Sequence, residues 1–254
     1  MPVERSAAED CATIPTRGRV FAVSRRPGLA DCAPSGRLRL DAIARWLQDV
    51  AYLDIEDAGV AEVAVWVLRR TRIVAAPFPR FGEHLRIHTF CSGAGQMWAE
   101  RRTVIARAGE PNPLVQATAL WVHLDPVSGQ PTPLTPAEID IYGESVSDWQ
   151  VQARLRHPRP TGGERSERWR FRAVECDLAG HVNNAAYWTV LEEALLGGAE
   201  PSTIDAEIEF RSALQPGEMT VLVGDADGAD PAVDGQMRWI TGPSGELYAS
   251  IAVI

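Results

Sequence analysis

The sequence contains no lysine, because all 25 of its basic residues are arginines. This absence excludes Schiff-base chemistry, which requires a lysine amine. Aspartate and glutamate outnumber the arginines, 34 to 25, and give the chain a formal net charge of −9. Proteins that bind nucleic acid need a basic face for the phosphates, so this charge balance argues against that class of partner.

The chain also lacks any apolar run close to the roughly 20 residues that span a bilayer. Residues 1–16 are too acidic and too poor in apolar side chains for a secretory signal. We therefore expect a cytoplasmic protein without a membrane partner.

Cysteine is scarce, and no two cysteines have C-x-x-C spacing: Cys11, Cys32, Cys91 and Cys176. Their scatter predicts neither a zinc site nor a disulfide framework, and structural thiols are the simpler interpretation. His84, His88 and His123 fall on alternating strand positions, but they have no metal-ligand spacing. We expect no metal and no cofactor.

The sequence does contain a repeated pattern of a glycine followed by an apolar helix. Residues 36–43 lead into an apolar stripe, and residues 180–187 lead into a similar one. The two copies predict two similar half-domains, which 254 residues can build around one core.

Each copy is followed by a meander of strands. Helices are predicted over residues 40–58 and 184–196. Strands are predicted over residues 19–24, 62–74, 84–91, 96–107, 114–124, 168–174, 204–211, 219–224, 236–240 and 247–254. This order favours an α+β fold. A long helix wrapped by an antiparallel β-sheet, duplicated in tandem, is the plan of a double hotdog.

A polar segment rich in proline, glycine and arginine separates the two copies and has no apolar periodicity. The sequence therefore predicts an N-terminal hotdog over residues 15–142, a linker over 143–167 and a C-terminal hotdog over 168–254.

Polar side chains gather around Gly180 just before the second helix, at Asp177, His181, Asn183 and Asn184. Gly180 permits a tight turn, and either asparagine can cap a helix. Backbone N–H groups and the positive end of the helix would converge here, which suits a developing oxyanion. A polarised carbonyl beside a carboxylate indicates acyl transfer.

The first copy lacks these groups, because Arg37 stands in the place of His181 and Arg39-Leu40 in the place of the asparagine pair. We therefore expect one active site per chain, in the second half.

Four segments of the first half are similar to the strand signatures of one family: 66–70, 79–83, 90–93 and 98–102. In the second half, Asp177, residues 181–184, Tyr187 and Glu193 match that family's active-site segment and the glutamate on its following helix. On these residues the chain resembles the acyl-ACP thioesterases, double-hotdog enzymes that release fatty acids from acyl carrier protein.

The chain departs from the family pattern at three positions. Ala179 replaces an asparagine, and Ala213 and Leu214 replace a glutamate and a cysteine. A cysteine nucleophile therefore has no support. The Gly180-His181 pair is similar instead to single-hotdog acyl-CoA thioesterases, in which an aspartate is the working carboxylate.

The resemblance implies a thioesterase that hydrolyses fatty acyl thioesters of acyl carrier protein or of coenzyme A, as a monomer or a homodimer. Asp177 would be the general base or the nucleophile, His181 would orient the carbonyl or the water, and Asn183 and Asn184 would support them. The N–H groups expected to polarise the carbonyl are those of Gly180, His181 and Val182.

Three further residues receive roles on this interpretation. Glu193 either orients a group of the site or is a solvated helix charge. Leu47 and Trp66 are expected to line the acyl pocket of the first half, although tryptophans at such positions also pack in sheet cores. Two other functions remain open, a hotdog hydratase or dehydratase and a non-catalytic acyl-thioester-binding protein.

Seven arginines lie close together around the end of the linker: Arg154, Arg156, Arg159, Arg165, Arg168, Arg170 and Arg172. Acyl carrier proteins are acidic, so this basic island in an acidic chain is expected to be their docking surface. The alternative is a solvated linker.

Overall fold

A computed structural model describes residues 14–62, 65–148, 151, 153–225 and 235–254. Cys11, part of the predicted strand 62–74 and part of the predicted linker lie outside the described residues. Over the described ranges the chain forms ten β-strands and three α-helices, with short 3₁₀ turns between them.

Every predicted helix and strand of the first half has an observed counterpart. The elements of this half are β1 (Phe21–Arg25), α1 (Leu40–Asp57), β2 (Val65–Ala75), β3 (Leu85–Ala94), β4 (Trp98–Arg107), β5 (Pro113–Leu124) and α2 (Pro136–Tyr142). The short helix α2 was not predicted. Its signal was present, because Thr135 and Glu138 form a capping box around a proline at the first helical position.

The second half repeats the strand meander with a shorter helix. Its elements are β6 (Arg165–Phe171), α3 (Thr189–Leu196), β7 (Ile204–Phe210), β8 (Gly217–Asp225), β9 (Gln236–Thr241) and β10 (Leu247–Val253). Strand β6 begins inside the segment predicted as linker.

The predicted helix 184–196 is wrong in its first turn. Residues Ala186–Trp188 form a 3₁₀ turn, and the α-helix begins only at Thr189. The Ala186 N–H donates to the Asn183 carbonyl and the Trp188 N–H to the Ala185 carbonyl, each three residues back. These bonds wind the chain more tightly than an α-helix.

All ten strands belong to one sheet, in the order β1-β3-β4-β5-β2-β7-β10-β9-β8-β6. Every pair is antiparallel, so the predicted α+β class with antiparallel strands is confirmed. The two halves meet where β2 pairs with β7, over residues 70–75 and 204–209.

One hydrophobic core joins both helices to the sheet. Ile43 and Val50 of α1 and Val190 and Leu191 of α3 are buried in the same cluster as the inward-facing strand residues. No helix among the described residues is long and apolar enough to cross a membrane.

The linker lies against the opposite face of the sheet. On β7, Ile208 and Phe210 point into the core, so Glu207 and Glu209 point to the other face. The Glu209 carboxylate accepts the backbone N–H groups of Arg156, at 2.5 Å, and His157, at 3.1 Å. The linker therefore covers these two glutamates, and both are buried.

Candidate active site

The predicted active-site segment forms a tight turn before α3. Cys176 and Val182 make an isolated antiparallel bridge. Inside it, the Asp177 N–H donates to the His181 carbonyl and the Gly180 N–H donates to the Asp177 carbonyl, each at 3.0 Å. Gly180 has φ +75°, a conformation that favours glycine. The turn therefore depends on the glycine that the sequence singled out.

The Asp177 carboxylate is exposed to solvent and held by two hydrogen bonds. Its Oδ1 accepts the Ala179 N–H at 2.9 Å. Its Oδ2 accepts from Asn183 Nδ2 at 3.1 Å. Both donors fix the direction of the carboxylate while it faces an open groove. An ionised carboxylate in this setting can accept a proton from water or attack a carbonyl.

Asn183 ties the carboxylate to the start of the helical segment. Its Oδ1 accepts the Ala185 N–H at 2.8 Å, while its Nδ2 donates to Asp177. Its own N–H donates to the Glu175 carbonyl at 2.8 Å. The predicted supporting role of Asn183 therefore has a physical basis.

Two of the three backbone N–H groups predicted as oxyanion donors are bonded within the protein. The Gly180 N–H is bonded to the Asp177 carbonyl, and the Val182 N–H donates to the Leu214 carbonyl at 2.9 Å. Both are used to build the turn. Of the three predicted donors, only the His181 N–H has no partner within the described parts of the chain. The His181 side chain is half-buried and makes no hydrogen bond to the described residues.

An apolar cavity of about 370 Å³ lies in the first half, between α1, the sheet and α2. Trp66, predicted to line an acyl pocket, is in its wall. The other lining residues include Ala51, Ile55, Ala94, Ala99, Trp121, Ile139 and Val146. A smaller cavity beside it is lined by Leu47 and Asn184, which were also predicted site residues. Asn184 therefore faces the first half, away from the groove that Asp177 lines.

Glu193 lines neither the groove that contains Asp177 nor the two cavities beside it. It is exposed on α3, and its side chain contacts no described residue through a hydrogen bond or ion pair. The preceding residue, Glu192, is the buried one. Its Oε2 accepts the Leu40 N–H at 2.9 Å, and its Oε1 lies 2.5 Å from Arg37 Nη2. Adjacent residues of a helix point in different directions, so one glutamate is buried and the next is exposed. The sequence spacing alone did not show which of the two faces the interior.

Arg37, the residue that replaces His181 in the first copy, is structural. It is 3% exposed and binds Glu192, and its Nε donates to Glu200 at 2.8 Å. Burial opposes its charge, but the bonds from Glu192 and Glu200 outweigh burial and raise the pKa of Arg37. Arg37 and Glu192 thus join the start of α1 to α3.

Cys91 lines the apolar cavity and is buried, and burial raises the pKa of its thiol to about 11. The thiol is therefore protonated at neutral pH and is a weak nucleophile. Cys176 is half-buried. No cysteine of the described residues is in a disulfide with another.

One cluster that the sequence did not indicate has the geometry of a metal site. His157, Glu207 and Glu209 are buried with ligand atoms within 4.8 Å of one another. However, Arg70 Nε and Arg156 Nη2 each lie 3.5 Å from Glu207 Oε2, so cations already balance the carboxylates. Burial alone would raise the pKa of Glu207, but His157, Arg70 and Arg156 together lower it. The cluster is best described as an ion-pair network that holds the linker.

Comparison with known proteins agrees with this fold. Residues 29–142 match the model of the acyl-ACP thioesterase N-terminal domain. An uncharacterized protein of Mycobacterium tuberculosis is 26% identical over 211 residues, which are 80% of this chain and 82% of that protein.

Two solved structures superpose on nearly the whole chain. An acyl-ACP thioesterase from Bacteroides thetaiotaomicron has a TM-score of 0.77 and 14% identity, covering 92% of this chain and 97% of its own. A 12:0-ACP thioesterase from Umbellularia californica has a TM-score of 0.74 and 15% identity, covering 93% and 97%. These likenesses show the fold, and the predicted tandem double hotdog is confirmed.

The match to the family model confirms the resemblance to acyl-ACP thioesterases that the motifs indicated, and with it the predicted enzyme class, a thioester hydrolase. The matched segment contains α1, β2 to β5 and α2, the elements that enclose the apolar cavity.

Proposed function

We propose that this chain hydrolyses fatty acyl thioesters carried by acyl carrier protein, with Asp177 as the catalytic carboxylate. One observation carries the proposal. The groove that contains Asp177 shares lining residues of α1, Gln48 and Tyr52, with the apolar cavity of about 370 Å³. A carboxylate in a groove that adjoins an apolar cavity suits a substrate with a reactive carbonyl at one end and an alkyl chain at the other.

In this mechanism the thioester carbonyl lies beside Asp177 and the His181 N–H. The carboxylate takes a proton from water as the oxygen adds to the carbonyl carbon, or adds to that carbon itself. The C–S bond then breaks, and the thiolate leaves and takes up a proton. In the second route, water hydrolyses the resulting mixed anhydride. Asn183 holds Asp177 in position for either route.

The two halves of the chain have different roles in this mechanism. Residues 15–142 enclose the acyl chain, residues 168–254 supply the carboxylate, and residues 143–167 connect them. The rim of the groove is apolar as well as polar, because Leu178 and Tyr52 are exposed beside Asp177. An apolar rim fits a substrate whose alkyl chain must pass the carboxylate to reach the cavity.

The decisive test of this function is thiol release by the purified protein from acyl-ACP and acyl-CoA substrates of increasing chain length. We expect release from acyl-ACP with a higher kcat/KM than from the matching acyl-CoA. Absence of thiol release from every acyl thioester would refute the proposal. Water addition to an enoyl thioester, without thiol release, would indicate a hydratase instead.

Filling the cavity should shorten the preferred acyl chain. Ala99 is half-buried on β4 and lines the cavity, so Ala99→Phe adds a ring to this space. Each buried CH₂ contributes about 0.8 kcal/mol, so each methylene that the ring excludes should lower kcat/KM about fourfold. The measurement is kcat/KM against acyl length.

Short acyl chains should be hydrolysed at the wild-type rate by Ala99→Phe. Ala108→Phe is the matched control, because Ala108 is exposed beyond the end of β4 and outside the cavity. An unchanged length profile in Ala99→Phe would show that the acyl chain lies elsewhere.

The acidic carrier is expected to dock on β6, next to the active-site turn. Arg168, Arg170 and Arg172 alternate with inward-facing Trp169 and Phe171, and all three are exposed. Arg168 and Arg172 have no ion-pair partner among the residues that the structure describes. The chain passes from Arg172 through one 3₁₀ turn to Cys176, so this cationic edge leads to the site.

The linker arginines are less suitable for docking than the sequence indicated. The Arg156 side chain forms an ion pair with Glu207 on the face of the sheet, and the Arg156 backbone N–H donates to the Glu209 carboxylate. Reversing its charge would disturb this network as well as any docking. The edge strand therefore provides the cleaner test.

We expect the double variant Arg168→Glu/Arg172→Glu to raise KM for acyl-ACP and to flatten its dependence on ionic strength. The physical reason is that the arginines attract the acidic carrier protein electrostatically, and salt screens this attraction. Without the two arginines, the association rate should depend less on ionic strength. Hydrolysis of a short acyl-CoA should be unchanged. The control is Arg17→Glu/Arg26→Glu, two exposed arginines outside β6. Equal effects on both substrates would exclude this docking surface.

A further inference from the structure

Gln48 occupies a junction in the first half. It lies in the middle of α1 and is half-buried. It lines the open groove with Asp177, the small cavity with Asn184, and the apolar cavity of about 370 Å³. Among the described residues it is the only one that lines all three. A thioester that extends from the large cavity to Asp177 would therefore pass this side chain.

The amide of Gln48 has no hydrogen-bond partner within the described residues. Its amide atoms remain accessible to solvent, so they can donate to a bound ligand without breaking a hydrogen bond inside the protein. Asp177 and Asn183 are bonded to each other. The side-chain amides of Gln48 and Asn184 have no hydrogen-bond partner among the described residues, and of these two only Gln48 lines the groove with Asp177.

The candidate site is short of donors for a developing oxyanion. Of the three backbone N–H groups expected from the sequence, that of Gly180 is bonded within the turn and that of Val182 to Leu214, and only the His181 N–H has no partner among the described residues. Acyl-transfer sites usually stabilise the oxyanion with more than one donor, and a side-chain amide can be one of them.

We propose that Gln48 donates a hydrogen bond from Nε2 to the carbonyl oxygen of the thioester and, with the His181 N–H, forms the oxyanion hole. This inference rests on the proposed function, because it assigns a role in that same reaction. It makes the active site composite: the first half supplies a catalytic amide as well as the acyl cavity. The bond strengthens as negative charge develops on the oxygen.

The test replaces the amide by an apolar group of similar size, in Gln48→Met. We expect kcat to fall by about 10²-fold, the scale of losing one oxyanion donor, with KM changed by less than about threefold. A thioether analogue, in which CH₂ replaces the carbonyl, should bind wild type and Gln48→Met equally. The control is Gln130→Met, because Gln130 is exposed in the loop after β5.

Four outcomes decide the matter. A low kcat with unchanged thioether affinity and thermal stability supports the inference. Wild-type kcat in Gln48→Met overturns it, and so does a parallel loss of thioether affinity, which would show that Gln48 only packs against the substrate. Wild type that releases no thiol overturns the proposed function itself, whereas an active wild type with an equally active Gln48→Met overturns only the role of Gln48.

Discussion

Replacing Asp177 by asparagine should lower thioester hydrolysis by about 10²–10⁴-fold, the usual contribution of a positioned acid or base. The amide has nearly the same shape, and its oxygen can still accept the Ala179 N–H. It can neither take a proton from water nor attack the carbonyl. The side chain is exposed, so we expect the thermal stability of the variant to stay close to that of wild type. The measurement is kcat on acyl-ACP with a matched melting curve.

The repeat provides a control for this experiment. Asp31 is the carboxylate that precedes Gly36 in the first copy, and it is bonded to Arg45 and to the Gly28 N–H. Asp31→Asn should therefore leave turnover within about threefold. His181→Ala should cause a smaller loss than Asp177→Asn, since its backbone N–H remains. If Asp177→Asn keeps more than about a tenth of wild-type turnover, Asp177 is not the catalytic carboxylate.

Replacing Arg37 by methionine should destabilise the protein by about 3–5 kcal/mol, because a buried ion pair that loses one partner leaves an uncompensated charge. Glu192 is 3% exposed and would keep only the Leu40 N–H. The expected fall in Tm is roughly 6–20 °C for a chain of this size. Denaturant unfolding of the variant measures the free energy of unfolding directly.

The paired variant Arg37→Met/Glu192→Met removes both charges. It should be more stable than Arg37→Met alone, because no lone carboxylate remains buried. Arg45→Met is the surface control, since Arg45 pairs with Asp31 near solvent and such pairs contribute about 0–1 kcal/mol. A double variant no more stable than Arg37→Met would contradict the buried-charge explanation.

Local patterns were sufficient for much of the fold. The apolar stripe of α1 and the alternation of the strands follow from residues near one another in the chain, and these elements lie close to their predicted bounds. The short helix α2 was missed although its Thr135 and Glu138 caps are local. The prediction was wrong for the first turn of the second helix. There the N–H groups bond to carbonyls three residues back instead of four, and the spacing of apolar residues does not distinguish these two patterns.

The active-site turn was the most predictable part of the site. Asp177, Gly180 and Asn183 are close in sequence, so their hydrogen bonds could be anticipated from residue type and spacing. The engagement of the Val182 N–H could not, because its partner, Leu214, comes from a distant segment. The same limit applies to Gln48, whose position opposite Asp177 depends on how the two halves pack.

The continuous sheet has a consequence for synthesis of the chain. Residues 70–75 of β2 pair with β7 on one side, so β2 has an unprotected edge until residues 204–210 have left the ribosome. Throughout that interval the nascent first half exposes unpaired backbone N–H and carbonyl groups of β2. These groups lie beside apolar residues, such as Ile73, that are buried in the folded chain. Such an edge can pair with another copy. Slower translation after β5, or high expression, should therefore favour aggregation of nascent chains, even though the finished sheet has no edge at this position.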